Sequence, residues 1–185
     1  MDLSLVKMRL AQKLVEIPND LDVTIEYNTV CVKGPLGEVR RDFTHARVHL
    51  RLENGRVIVE APWPDKKRAA TVGTIRSHIQ NMMTGVAKGF TVKLKIVFAH
   101  FPVSVKIQDD LVVIENFQGE RRPRQARIHG DVKIVVEGDD IIIQGINLEH
   151  VTQTAANIHQ STHIKKKDPR VFLDGIYVFE KNEGM

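Results

Sequence analysis

The sequence predicts an α+β protein of two tandem duplicated domains, each a mostly antiparallel β-sheet packed with one α-helix. Three observations carry this reading. Apolar and polar residues alternate over many short runs, the period of half-buried strands. One segment in each half instead repeats its apolar residues every three to four positions, the period of a helix. The same order of runs and turns then returns at an offset of 80–84 residues. That period is too long for a solenoid and suits two like domains. The 185 residues are enough for two such cores.

In chain order, residues 11–17 before Pro18 read as a short strand. Val23, Ile25 and Tyr27 alternate, Asn28-Thr29 is taken as a hairpin turn, and Val30 and Val32 continue the alternation. Gly34-Pro35-Leu36-Gly37 is a turn. Glu38–Phe43 and Arg47–Leu52 are further strands, and Asn54-Gly55 joins the second of these to Val57–Val59 as a hairpin. Pro62-Trp63-Pro64 stops the sheet, and Asp65 is an N-cap. Val72, Ile75, Ile79, Met82 and Val86 fall on one helical face, so a helix is predicted over about 66–87. Residues 90–99 alternate as a long strand, read as the end of domain one, with His100-Phe101-Pro102 as the connection. The domains are therefore placed at 1–99 and 100–185.

The second copy opens on Val103, Val105 and Ile107, turns at Asp109-Asp110, and continues through Leu111–Ile114 to Asn116–Glu120. Residues 132–143 repeat the hairpin of 47–59. Asn147 is an N-cap, and Val151, Ala155, Ile158 and Thr162 line one helix face. After this helix the copies part. Residues 160–181 add a basic loop and a strand that carries Asp174-Gly175, read as the turn that sets the direction of Ile176–Val178.

Composition and motifs exclude several function classes. No apolar run approaches the roughly 20 residues that span a bilayer, and the N-terminus lacks a secretory pattern, so an intracellular protein without membrane attachment is expected. The lone Cys31 sits in an alternating run and reads as a packed or sheet-facing thiol, with no cysteine cluster for zinc. Phosphate-binding glycine loops and Gly-x-Ser-x-Gly are absent, as is His-Glu-x-x-His. His159 and His163 are spaced as a metal pair but have no third ligand nearby in sequence, so they are read as exposed helix residues. No enzyme, cofactor or metal is expected.

The charge distribution points to a polyanion. Residues 1–99 carry 16 Lys/Arg against 10 Asp/Glu, and residues 100–185 carry 11 against 13. Eight of those 11 lie in two clusters within the net acidic half: Arg121, Arg122, Arg124, Arg127, and Lys165, Lys166, Lys167, Arg170. Secondary patches are Arg40-Arg41 and Lys66-Lys67-Arg68, the latter at a helix start where the dipole disfavours cations. Arginine forks and lysine point charges suit an RNA backbone. Aromatic content is only 5%, so recognition of folded RNA by shape and phosphate is expected over stacking of single-stranded bases.

The stretch Gln160, Ile164, Lys167, Arg170, Phe172, Asp174-Gly175-Ile176-Tyr177-Val178 and Lys181 resembles the C-terminal signature of the ribosomal protein L6 family, in its archaeal and eukaryotic branch. Val32–Gly37 resembles the family's first-domain turn, and Gln80–Val86 followed by Gly89-Phe90 its helix end. The lack of long eukaryotic-type extensions points to an archaeal source. The bacterial Gly-Lys-Gly-rich tail is replaced by 168–175, so bacterial nucleotide contacts do not transfer. The resemblance implies a structural, rRNA-binding constituent of the large ribosomal subunit, in the cytoplasm, near the sarcin–ricin loop and the stalk base. Its expected partners are large-subunit rRNA, neighbouring ribosomal proteins and, indirectly, translational GTPases. By family position the rRNA contacts are Lys165, Lys166, Lys167, Arg170 and Lys181. From charge alone we add Arg121, Arg122, Arg124 and Arg127, with His163 beside the loop. The competing expectation is a protein–protein scaffold of duplicated β domains whose charges serve solubility.

Overall fold

The computed structural model describes residues 10–99, 101–165, 167, 168 and 170–185. Arg121–Arg127 and most of the basic loop fall within this range, whereas Lys166 and His100 lie outside the described residues. The chain divides into two compact units, with the division between Ala87 and Lys88.

The first unit opens with β1 (Leu10–Glu16) and a meander of β2 (Asp22–Glu26), β3 (Thr29–Gly34) and β4 (Gly37–Asp42). A hairpin of β5 (His49–Glu53) and β6 (Arg56–Pro62) follows, then helix α1 (Lys66–Ala87). Two antiparallel sheets result, in the orders β2-β3-β4 and β1-β6-β5. The helix spans the residues its periodicity predicts. Val72, Ile75, Ile79, Met82, Met83 and Val86 are all buried, and α1 packs on β1, β3 and β6. Each fully buried side chain of this size contributes roughly 1.5–3 kcal/mol, so this stripe outweighs the weak helix propensity of the threonines and glycines it spans. Asp65 caps the helix as expected, its Oδ1 accepting the amide of Arg68 at 2.7 Å. The Asn54-Gly55 turn has both residues at positive φ, 50° and 70°, the backbone that a two-residue hairpin needs.

The second unit holds β7 (Phe90–Val97) and the meander β8 (Ser104–Gln108), β9 (Leu111–Glu115) and β10 (Arg124–Arg127). A short 3₁₀ turn at Phe117–Gly119 lies between β9 and β10. The hairpin β11 (Lys133–Glu137) and β12 (Asp140–Gly145), helix α2 (Leu148–Ser161) and β13 (Gly175–Glu183) complete it. One sheet runs β10-β9-β8 and the other β11-β12-β7-β13, all neighbours antiparallel. Val112, Ile114, Phe117, Ile141, Ile143, Val151 and Ile158 are at the centre of one core with Leu94. Asn147 caps α2, its side-chain oxygen accepting the Glu149 amide at 3.0 Å.

Strand pairing revises the boundary expected at 99/100. β7 pairs with β12 just as β1 pairs with β6, so the long strand after α1 opens the second unit. The repeat is one strand, a three-strand meander, a hairpin and a helix. The feature added to the second copy is β13, which extends the sheet on the far side of β7. The first hairpin turn also shifts by one residue, to Tyr27-Asn28, with Tyr27 at φ 56°. Its counterpart Asp109-Asp110 falls where predicted, with Asp109 at φ 48°.

Candidate nucleic-acid interface

The loop between α2 and β13 is tied down at several points. Thr162, buried beyond the helix end, donates its hydroxyl to the carbonyl of His159 at 3.0 Å and accepts the amide of Ile176 at 3.1 Å. The Ile176 carbonyl can only accept, so the His159 Nδ1 that lies 2.8 Å from it carries a proton. Both backbone polar groups of Ile176 are thereby satisfied by the end of α2. The loop itself turns at Asp168, whose carboxylate accepts the Arg170 amide at 2.9 Å. The carbonyl of Asp168 accepts the amides of Val171 and Phe172 at 3.1 and 3.0 Å.

Asp174 links this loop to the rest of the unit. One carboxylate oxygen accepts the Ala99 amide at 2.7 Å, just past β7, and the other accepts the Gln118 side-chain amide at 3.2 Å. The Gln118 carbonyl oxygen in turn accepts Lys167 Nζ at 3.2 Å. That ammonium also lies 4.6 Å from the centre of the Phe172 ring, a cation–π contact. Lys167 is therefore aimed by two neighbours.

Arg124 performs a second, different task. Its guanidinium lies 4.3 Å from the centre of the buried Phe117 ring and makes two bonds to Glu120, at 2.6 and 2.8 Å. It also donates to the carbonyls of Ser161 and His163, at 3.0 and 3.2 Å. The hydrogen bonds from Arg124 hold the Glu120 carboxyl below its ordinary range. Arg124, expected as an RNA contact, is thus committed to holding the loop.

A cleft of about 570 Å³ opens between these two devices, lined among others by Gln118, Gln160, His163, Lys165 and Lys167. The structure therefore brings His163, Lys165 and Lys167 together, with Arg170 on the adjoining turn. Arg121 and Arg122 are exposed on the link between the 3₁₀ turn and β10. Arg127 is exposed at the other end of β10, about 10 Å along the strand from Arg124. Lys181 lies six residues into β13, roughly 20 Å from the loop along the strand, and is not gathered with the others. Asp174-Gly175 is not the turn suggested by its composition. Gly175 is the first residue of β13, and its lack of a Cβ leaves room for the Tyr177 ring, which an added Cβ would meet at 2.8 Å and push aside. Tyr177 folds back to donate its hydroxyl to the Leu173 carbonyl at 3.3 Å and flanks the His159 ring.

Asp174 belongs to the quoted signature, but neither charge nor motif marks Thr162, His159 and Gln118 as supports. Only their proximity in space reveals them.

In the first unit, strand alternation splits Arg40 and Arg41. Arg40 shares a small cleft with Cys31, Glu26 and Glu38, and Arg41 points to the opposite face, 3.2 Å from His78 Nδ1. The Cys31 thiol donates to Glu38 at 2.8 Å, and burial with the Glu38 charge pushes its pKa up, the reverse of a nucleophile's environment. Lys66, Lys67 and Arg68 form the first turn of α1, with no acidic residue in that turn. Among the described residues no cluster of His, Cys, Asp or Glu could hold a metal ion, and no helix is long and apolar enough to cross a membrane.

Two like α+β units, the second extended by a strand and a braced basic loop, define a duplicated α+β protein. The chain belongs to the ribosomal protein L6 family, whose model matches residues 17–89 and 101–175, one segment for each copy. It is similar to the large ribosomal subunit protein uL6 of Methanobrevibacter smithii, 52% identical over 90% of this chain and 94% of the relative. The uL6 of Methanosphaera stadtmanae is 51% identical over 97% and 98%, and that of Desulfurococcus amylolyticus 49% identical over 92% and 95%. The family is one of ribosomal proteins, and these relatives are named as such and not as enzymes.

Proposed function

We propose that this chain is a structural constituent of the large ribosomal subunit that binds large-subunit rRNA through the loop between α2 and β13. Lys165, Lys167 and Arg170 neutralise phosphates, with Lys166 in the same run, and His163, Arg121, Arg122 and Arg127 extend the contact. Arg124 acts indirectly, and Lys181 touches a separate point of the RNA. The observation that carries this reading is the chain of bonds Asp174–Gln118–Lys167, which orders a long cationic side chain before any ligand arrives. Ordering in advance lowers the entropy lost on binding. The site adjoins the sarcin–ricin loop and the stalk base, where the subunit supports translational GTPases. Val171 and Leu173, 71% and 61% exposed beside the lysines, are where we place a neighbouring ribosomal protein.

Replacing Lys165, Lys167 and Arg170 by Ala should weaken binding to a large-subunit rRNA transcript. The slope of log affinity against log salt should fall by about one per lost phosphate contact. Unchanged affinity and slope would sink the site, and a footprint that leaves the sarcin–ricin loop unprotected would sink its location. Gly175→Val displaces Tyr177 and with it the Leu173 end of the loop. RNA affinity is expected to fall about tenfold, the effect of one or two lost phosphate contacts. Thermal melting should shift by only a few degrees, corresponding to about 1 kcal/mol or less. A melting shift without loss of affinity would show that Gly175 serves folding alone.

A further inference from the structure

The first unit carries a second basic surface that the loop of the second unit does not explain. A groove of about 480 Å³ runs between the end of β4, the segment that follows it, and the first turns of α1. Arg41, Arg47, Lys67 and Arg68 line it, and no carboxylate does. Two other surface clefts differ, since the one beside the loop before β13 contains Glu120 and the small one beside Cys31 contains Glu26 and Glu38. Among the described residues, Arg47, Lys67 and Arg68 have no side-chain ion pair. Their charges add to the positive end of the α1 dipole, where only the Asp65 cap is acidic. Unbalanced positive charge on these two segments, the one after β4 and the first turn of α1, is mutually repulsive, and a bound anion relieves it.

The groove is shaped as well as charged. Its floor is apolar, with Phe43 and Ile75 buried, and Arg41 lies 5.5 Å from the centre of the Phe43 ring. Its helical wall presents acceptors. Thr71 and Thr74 donate their hydroxyl protons to the carbonyls of Lys67 and Ala70, at 3.0 and 3.2 Å. What these hydroxyls retain for a ligand is oxygen lone pairs. A free polyphosphate has no donor for them, and neither does a carboxylate side chain. A ribose 2′-hydroxyl is a donor as well as an acceptor and lies beside the phosphate in RNA.

We propose that this groove seats a second stretch of RNA sugar–phosphate backbone, separate from the contact made by the loop before β13. The inference rests on the RNA-binding reading above and adds to it a site on the other unit. Arg47, Lys67 and Arg68 bind phosphates, and Thr71 and Thr74 accept from 2′-hydroxyls.

The test is a salt titration of the full chain against a full-length large-subunit rRNA transcript. The groove variant replaces Arg47, Lys67 and Arg68 by Gln, and the loop variant is the triple Ala replacement of Lys165, Lys167 and Arg170. The groove variant should lower the salt slope by two to three and weaken binding about tenfold or more at 0.15 M salt. The conservative variant Arg47→Lys with Arg68→Lys should keep the slope, and circular dichroism should show all variants folded. A groove variant whose slope equals that of the unmodified chain overturns the inference, whatever the loop variant does. A loop variant with an unchanged slope beside a reduced groove slope overturns the loop assignment instead and supports the groove. Sodium tripolyphosphate and poly-glutamate serve as competing probes. Binding of either, lost in a groove variant whose rRNA slope is unchanged, overturns the backbone assignment in favour of a free polyphosphate or an acidic peptide.

Discussion

Phe117→Ala should destabilise the second unit by about 3–5 kcal/mol, the usual cost of emptying an aromatic site in a core. The ring is 1% exposed and packs within the cluster that includes Ile114, Ala126 and Ile158. For a unit of this size each kcal/mol corresponds to about 4–8 °C of melting temperature, so a fall of at least about 12 °C is expected. The effect extends beyond the core. Phe117 lies under the Arg124 guanidinium, which holds the Ser161 and His163 carbonyls. Removing the ring therefore loosens the loop as well as the cavity wall, and the folded fraction itself should bind RNA less tightly. Phe117→Leu should recover most of the stability but less of the affinity, because a leucine fills volume without offering a π face. Scanning calorimetry with an rRNA titration separates the two. A Phe117→Ala chain that melts within a few degrees of the unmodified one would contradict the assignment of this ring to the core.

Much of the fold was legible in the sequence because local signals suffice for helices and hairpins. The face of α1, the caps at Asp65 and Asn147, and the Asn54-Gly55 turn are all set by neighbours within four residues. The owner of the strand after α1 was not legible. Alternation marks Phe90–Val97 as a strand but does not name its partner, and its true neighbours β12 and β13 lie about 50 and 85 residues further on. Tyr27 misled for a different reason. A bulky residue rarely adopts positive φ, so sequence rules move the turn to Asn28-Thr29, and tertiary structure overrides them. The basic loop was legible as charge but not as chemistry. Sequence counts Arg124 and Lys165 alike. Only the fold shows that Arg124 is bonded to Glu120 and to two carbonyls. The helpers Thr162, Gln118 and Asp174 carry no net positive charge, so a search for cations passes over them.

Gly34→Val should destabilise the first unit by about 1–3 kcal/mol or more, through overpacking that cannot relax. A Cβ at this position would meet Leu21 Cδ2 at 2.7 Å, Val86 Cγ2 at 2.9 Å and the Val86 carbonyl oxygen at 2.9 Å. The carbonyl decides the outcome, because it is helix backbone. It also accepts the Leu36 amide at 3.1 Å, the bond that docks the Pro35-Leu36 turn on the end of α1. At Gly175 the obstacle is a tyrosine ring that can swing, so the harm falls on the loop more than on folding. At Gly34 the turn and the helix end must separate instead. Amide exchange should quicken in β3, β4 and the last turn of α1, while β7 and β12 of the other unit keep their protection. RNA affinity, corrected for the folded fraction, should hold. Retained protection around Gly34 would contradict this, and so would a loss of affinity in a fully folded chain. Two of the glycine-bearing stretches that carry the family resemblance thus act differently. Gly34 lets a turn dock on a helix, and Gly175 lets a tyrosine fold over the strand that positions the lysines.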